Sequence, residues 1–383
     1  MSRFWQTNWF LWLAYTLAAL AISVQKLAPG RHANGYTAYE NYVIFKNSWT
    51  HLLAGLNPYT SFPAEQWDLF KYSPAFAVCM APFAALPDWA GLPIWNLLNA
   101  LPLLAAILAL PVLDERARRF FAWFVLPELV IALQNSQSNG LVAALLLGTF
   151  VGLERGRESH AAPLVAGSSF IKIFGIFAAL PGLLYPKTLG FWAKTVAWAV
   201  FFAVFPLIVI GPEHLKTVYD WWLEMLRSDH SASVGISVMG WLRSWFGLDL
   251  PKTWVVLAGF GVLVCSVFVA RRRADLLEIR SLAWASVLIW VVIFNHKAES
   301  PTFVIALCGV ALWFLNSQKT AWDKVWLWSA FAFASLSPTD VFPKILRDTL
   351  VAPYALKAVP CIIIWFLITY RLLLVEKRGA LKS

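Results

Sequence analysis

Residues 253–273 read TWVVLAGFGVLVCSVFVARRR. From Thr253 to Ala270 there is no charged side chain, and Arg271, Arg272 and Arg273 follow at once. A helix rises about 1.5 Å per residue, so this run reaches across most of a bilayer core about 30 Å thick. Arginines at its end mark the cytoplasmic side. The same alternation of apolar run and basic flank recurs along all 383 residues, of which 60% are hydrophobic and 14% charged. Soluble domains carry about 25% charged residues. Lipid offers no partner to a backbone amide, so the spanning structure is a helical bundle or a closed barrel. Continuous apolar runs, not period-two alternation, select the bundle. The expected fold is an all-α polytopic membrane protein forming one transmembrane domain over residues 1–383.

The net charge is +10. Its basic residues sit just after apolar runs, which is the positive-inside pattern and not a nucleic-acid stripe. No nucleic-acid partner is expected; membrane lipids are. Cys79, Cys265, Cys308 and Cys361 each lie in an apolar run without metal-ligand spacing, which makes them packing residues. Trp5, Trp9, Trp95, Trp221, Trp222, Trp241 and Trp245 stand near segment ends, where tryptophan anchors helices at the interface.

Arg3 precedes the first run, 8–27, and puts the N-terminus inside. Residues 28–72 then form a first long outer loop. Pro74, Pro82 and Pro87 make the run 74–88 short or re-entrant, before a full run at 91–112. Residues 119–133 and 140–153 form a hairpin around Gln134-Asn135-Ser136-Gln137-Ser138-Asn139-Gly140. Residues 161–185 hold Pro163, Lys172 and Pro181, and read as a broken helix pair that dips in and returns. Residues 189–211 cross outward to a second outer loop, 212–252, with an amphipathic helix near Val218–Arg227. Runs at 253–270, 281–294, 302–315, 325–336 and 352–374 complete about ten crossings and two partial segments.

This topology places the polar clusters on one side. They are Glu40 to Lys71, Gln134 to Asn139, His214 to His230, His296 to Glu299, and Asp340. Ionisable residues are costly at a bilayer and tend to mark function. Within 40–56 a helix is expected from Phe45, Trp49, Leu52 and Leu53, with Gly55 and Pro58 ending it. It either lies on the bilayer or also presents Glu40, Asn41 and Lys46 to a substrate. Lys172 either snorkels or supplies a cation to a phosphate. His296, Lys297 and Glu299 form a loop ion cluster, or phosphate contacts with a carboxylate for acid/base work. No three-ligand set is apparent, so no metal and no cofactor are expected.

Gly55, Asn57, Pro58 and Tyr59 are followed by Lys71-Tyr72-Ser73-Pro74, the amide-rich turn 134–140, and Ile171-Lys172 in the broken segment. In these elements the chain resembles glycosyltransferase family 87, membrane proteins related to polyprenyl-phosphate-mannose-dependent mannosyltransferases. The resemblance covers most of the chain up to about residue 190. It implies a GT-C-like helical bundle with two long outer loops. It also implies a bacterial cytoplasmic membrane setting with the active site outside. The implied reaction moves a hexose, mannose-like, from a polyprenyl-phosphate-linked sugar to a glycan or lipid acceptor. The family's catalytic Asp falls on Asn41, beside Glu40. Asn cannot act as a base, so Glu40 is the expected base through a one-residue shift, with Asp68 or Glu299 as alternatives. Lys46, Lys71, Tyr72, Lys172, His296, Lys297 and Glu299 are the expected substrate contacts, with Gln134, Asn135, Gln137 and Asn139 for sugar hydroxyls. Rival readings are a lipid-linked-sugar transporter or flippase, and an inactive relative acting in glycan assembly.

Overall fold

Backbone polar groups that meet lipid must pair within their own segment, and most of the described residues are helical. The structure is a computed structural model that describes residues 8–29, 35–228, 234–317 and 319–374. Arg3, Trp5 and His230 lie outside the described residues. The chain opens with α1 (Asn8–Leu27) and α2 (Glu40–Leu53). The proline-rich run becomes α3 (Pro74–Cys79) and α4 (Ala81–Ala84), too short to cross a bilayer. Next come α5 (Asp88–Leu108), α6 (Glu115–Gln134), α7 (Asn139–Glu154) and α8 (Glu158–Ile171). A tight 3₁₀ coil, Ile173–Leu184, leads to α9 (Thr188–Val204), α10 (Pro212–Ser228) and α11 (Val238–Phe246). The last part holds α12 (Lys252–Ala270), α13 (Leu277–Ile293), α14 (Phe303–Asn316), α15 (Ala321–Ala330), α16 (Lys344–Leu346) and α17 (Val359–Leu373).

The hairpin of α13 and α14 is the centre of the bundle. Every residue of α13 from Ser281 to Ile293 is buried. A helix apolar all round has no solvent face to offer and is stable only inside. It packs on α14, α17 and the 3₁₀ coil, while α14 also meets α6 and α7. Around this centre α1 lies on α5 and α6, α7 on α5 and α8, and α8 on α9. Apolar side chains of α9 and α12 remain exposed, among them Leu189, Val196, Trp254 and Phe268. Such faces suit lipid.

Among the described residues four helices are long and apolar enough to cross a membrane: Asn8–Leu27, Asp88–Leu108, Thr188–Ile208 and Lys252–Arg273. The remaining apolar runs are shorter because breaks divide them. The expected run 352–374 starts as helix only at Val359, since the chain turns through Ala355 at φ 48°. The run 161–185 breaks at Lys172, whose φ of −136° and ψ of 120° are extended. Trp95 corrects the anchor expectation. It is buried, and its indole N–H donates to the Ser136 carbonyl at 2.9 Å. Trp9 and Trp245 are half exposed, as anchors are.

Candidate active site

Successive residues of a helix point about 100° apart, so α2 divides the polar region into two. Asn41, Ile44 and Phe45 face a cavity of about 600 Å³. Glu40, Val43, Lys46 and Asn47 face a separate recess of about 350 Å³. Glu40 and Lys46, expected at the substrate beside Asn41, line this second recess. The Glu40 carboxylate accepts from the Thr37 amide at 2.7 Å and its hydroxyl at 2.9 Å, tying down the start of α2. Lys46 pairs with Asp88, which also accepts from the Tyr39 hydroxyl at 2.9 Å. A one-residue shift cannot put Glu40 in place of Asn41, because the step turns its side chain to the other recess.

Besides Asn41 of α2, four segments supply polar residues to the cavity of about 600 Å³. The first loop brings Asp68, Lys71 and Tyr72, the α6–α7 turn brings Asn135 and Gln137, the break after α8 brings Lys172, and the α13–α14 turn brings His296, Lys297 and Glu299. The cavity also has an apolar and aromatic lining, with Phe174, Phe177, Trp222, Val256, Trp290 and Phe294. Phe177 and Trp290 meet edge to face, with ring centres 4.6 Å apart.

Local sequence explains how these residues converge. Gly55 takes φ 70° and lets the chain leave α2. The Asn57 side chain accepts from the Tyr59 amide at 2.9 Å, and the Tyr59 hydroxyl donates to the Tyr72 carbonyl at 3.1 Å. Ser73 caps α3, accepting from the Phe76 amide, while its hydroxyl donates to the Phe170 carbonyl. Pro74 fills the first helical position, where no amide is needed. Tyr72 is thereby fixed between the turn and the break. Its hydroxyl donates to Gln137 Oε1 at 3.1 Å. Burial pushes that hydroxyl well above its usual pKa range, against the bond from Ser138 and with the charges of Glu299 and Asp68 adding to the rise. It stays a neutral donor.

Lys172 Nζ donates to Asn139 Oδ1 at 2.7 Å and sits 5.9 Å from the centres of the Tyr72 and Phe174 rings. Asn139 thus stands behind Lys172 and does not line the cavity. Gln134 ends α6 and does not reach the cavity either. Asn41 Nδ2 donates to the Asn135 carbonyl at 2.9 Å, so its amide holds the turn. Asp68 is occupied, accepting from Lys71 Nζ at 3.0 Å and from the Leu69 amide at 2.7 Å. Glu299 is exposed to the cavity and makes no side-chain bond to the short coil it precedes. It lies close enough for its charge to act on both Lys172 and Tyr72. Among the described residues no group of three His, Cys, Asp or Glu side chains could hold a metal ion.

Sequence reasoning missed the aromatic wall and Asp88. The aromatics were hidden among many others in apolar runs. Asp88 had a signal, as the one acidic residue between Lys71 and Asp114.

A family model, glycosyltransferase family 87, matches residues 70–294. Comparison with curated proteins gives no match. Among solved structures, ArnT from Cupriavidus metallidurans bound to undecaprenyl phosphate aligns over 97% of this chain and 77% of its own, at 15% identity and a TM-score of 0.43. The apo state of that protein aligns over 96% and 77%, at 16% identity and a TM-score of 0.44. The family match spans more than half of the chain and takes in Lys71, Tyr72, Gln137 and Lys172 of the cavity wall, and this protein belongs to glycosyltransferase family 87.

Proposed function

We propose that this protein moves a hexose from a polyprenyl-phosphate donor to a glycan or lipid acceptor on the outer side of the cytoplasmic membrane, within a GT-C-like bundle. One observation carries the reading. Glu299, a carboxylate without a side-chain partner among the described residues, shares a cavity with the ammonium of Lys172 and an aromatic wall. The aromatic wall suits an isoprenoid stem and a sugar face, and the cations suit a phosphate. Family membership supports sugar transfer as the chemistry.

In the proposed reaction an acceptor hydroxyl attacks the anomeric carbon. Its proton passes to Glu299, and the bond from that carbon to the phosphate oxygen breaks. The donor phosphate carries one negative charge as a diester and gains a second as it leaves. Lys172, with His296 and Lys297 nearby, offsets that added charge where it develops. Direct displacement inverts the anomeric centre. Tyr72 and Gln137 present donors and acceptors to sugar hydroxyls. Glu40 has no part, since it faces the other recess.

The test uses protein in lipid nanodiscs with a panel of labelled undecaprenyl-phosphate sugars and a bacterial glycolipid extract as acceptor. Labelled product from the wild type, lost with Glu299→Gln and retained with Glu40→Gln, supports the reading. Movement of donor between leaflets without product would make the protein a transporter. Binding without either would make it an inactive relative. A fully active Glu299→Gln removes Glu299 from the role.

A further inference from the structure

A lysine and a glutamate from distant parts of the chain are buried together beside the α13–α14 turn, and neither lines the cavity. Lys357 is 3% exposed and Glu128 is fully buried. Lys357 Nζ donates to Glu128 Oε1 at 2.8 Å and to Ser300 Oγ at 2.8 Å. It also sits 5.2 Å from the centre of the Phe303 ring. Glu128 Oε2 has no hydrogen-bond partner among the described residues. The ammonium therefore gives a donor to Ser300 while an oxygen of its own counter-ion goes without one.

Burying an ion pair costs about as much in desolvation as the attraction returns, so such a pair is weak as a stabilising device. What this pair does distinctively is hold Ser300. Ser300 follows Glu299 directly. The residue before Glu299 is held as well, because the Ala298 carbonyl accepts from the Ile236 amide at 2.9 Å. Glu299 itself has no side-chain bond to its own turn; its carbonyl accepts from the Thr302 amide at 3.0 Å, and the bonds to Ala298 and Ser300 hold the backbone on either side of it.

We propose that Lys357, backed by Glu128, is a positioning residue: by pinning Ser300 it fixes where the Glu299 carboxylate points in the cavity. This rests on the reading of Glu299 as the base.

The test centres on Ser300→Ala, which removes the pin and leaves the Glu128–Lys357 pair, and on Ser300→Thr, which keeps a hydroxyl. Both are read in nanodiscs beside the wild type. Amide hydrogen exchange over 295–303 needs no substrate. One hydrogen bond to a charged group corresponds to about tenfold in local opening, so Ser300→Ala should exchange about that much faster there, and Ser300→Thr should not. Turnover uses whichever labelled undecaprenyl-phosphate sugar the wild type consumes. Ser300→Ala should lose about tenfold in kcat with little change in KM, and Ser300→Thr should recover it. Added to Glu299→Gln, Ser300→Ala should cost nothing more, since it acts through that carboxylate. Wild-type exchange in Ser300→Ala overturns the pin, as does a further loss on top of Glu299→Gln. An inactive Glu299→Gln with an unaffected Ser300→Ala leaves Glu299 as the base and overturns the positioning alone. A fully active Glu299→Gln overturns both.

Discussion

Glu40 and Glu299 show how little a residue's type says about its role without its direction. Both are carboxylates in turns or helix starts near polar neighbours. One carboxylate oxygen of Glu40 accepts from Thr37, while Glu299 has no such partner. General acid–base catalysis contributes about 10² to 10⁴ in rate, so Glu299→Gln should lower kcat by at least about 10²-fold, with unchanged expression. Glu40→Gln should keep near-wild-type kcat and lose about 1 kcal/mol of stability at most, because it weakens only a cap-like contact. Paired kinetics and thermal melts on the two variants check this. Lys172→Met should cost about 10²-fold in kcat, the scale of removing one donor that stabilises developing charge. The residue types of the cavity were largely legible: Lys71, Tyr72, Asn135, Gln137, Lys172, His296, Lys297 and Glu299 were all singled out from sequence, and all line it. Which recess Glu40 faces was not. A helix turns about 100° per residue, and sequence does not say which side of α2 meets the α6–α7 turn.

At the scale of elements, breaks make the site. The run 161–185 was legible as broken, through its prolines and its lysine. The position of the break was not, because it depends on a close approach. A Cβ on Gly175 would come within 2.7 Å of the Ser168 backbone and 2.8 Å of the Ser169 amide. Only glycine lets the coil fold back so tightly and hold Lys172 extended at the cavity wall. Gly175→Ala should therefore destabilise the fold by about 1–3 kcal/mol, the usual cost of overpacking, and should weaken donor retention by displacing Lys172. A melting curve together with labelled-donor binding in nanodiscs reads both effects. The α6–α7 turn behaves similarly. Its amide-rich composition marked it, yet Gln134 still belongs to α6 and stays off the cavity, while Asn139 begins α7 and supports Lys172 from behind.

At the scale of the molecule, apolar composition dictated a helical membrane bundle, and period and length placed most of its helices. Long-range pairing was illegible: Glu128 and Lys357 lie 229 residues apart, each alone in an apolar stretch. Their presence there was itself a signal, since an ionisable residue in such a run seeks a partner inside the protein. The pair links α6 to the segment before α17 and so closes the bundle behind the cavity. Removing one partner leaves an uncompensated buried charge, so Lys357→Met should destabilise by about 3–5 kcal/mol, whereas replacing both partners with apolar residues of similar volume is often neutral. Glu128→Met with Lys357→Met should then recover most of the melting temperature lost by Lys357→Met alone. It should not recover kcat, because Ser300 still lacks its donor. Stability regained without activity would separate the two roles of the pair; recovery of both would make the pair purely structural.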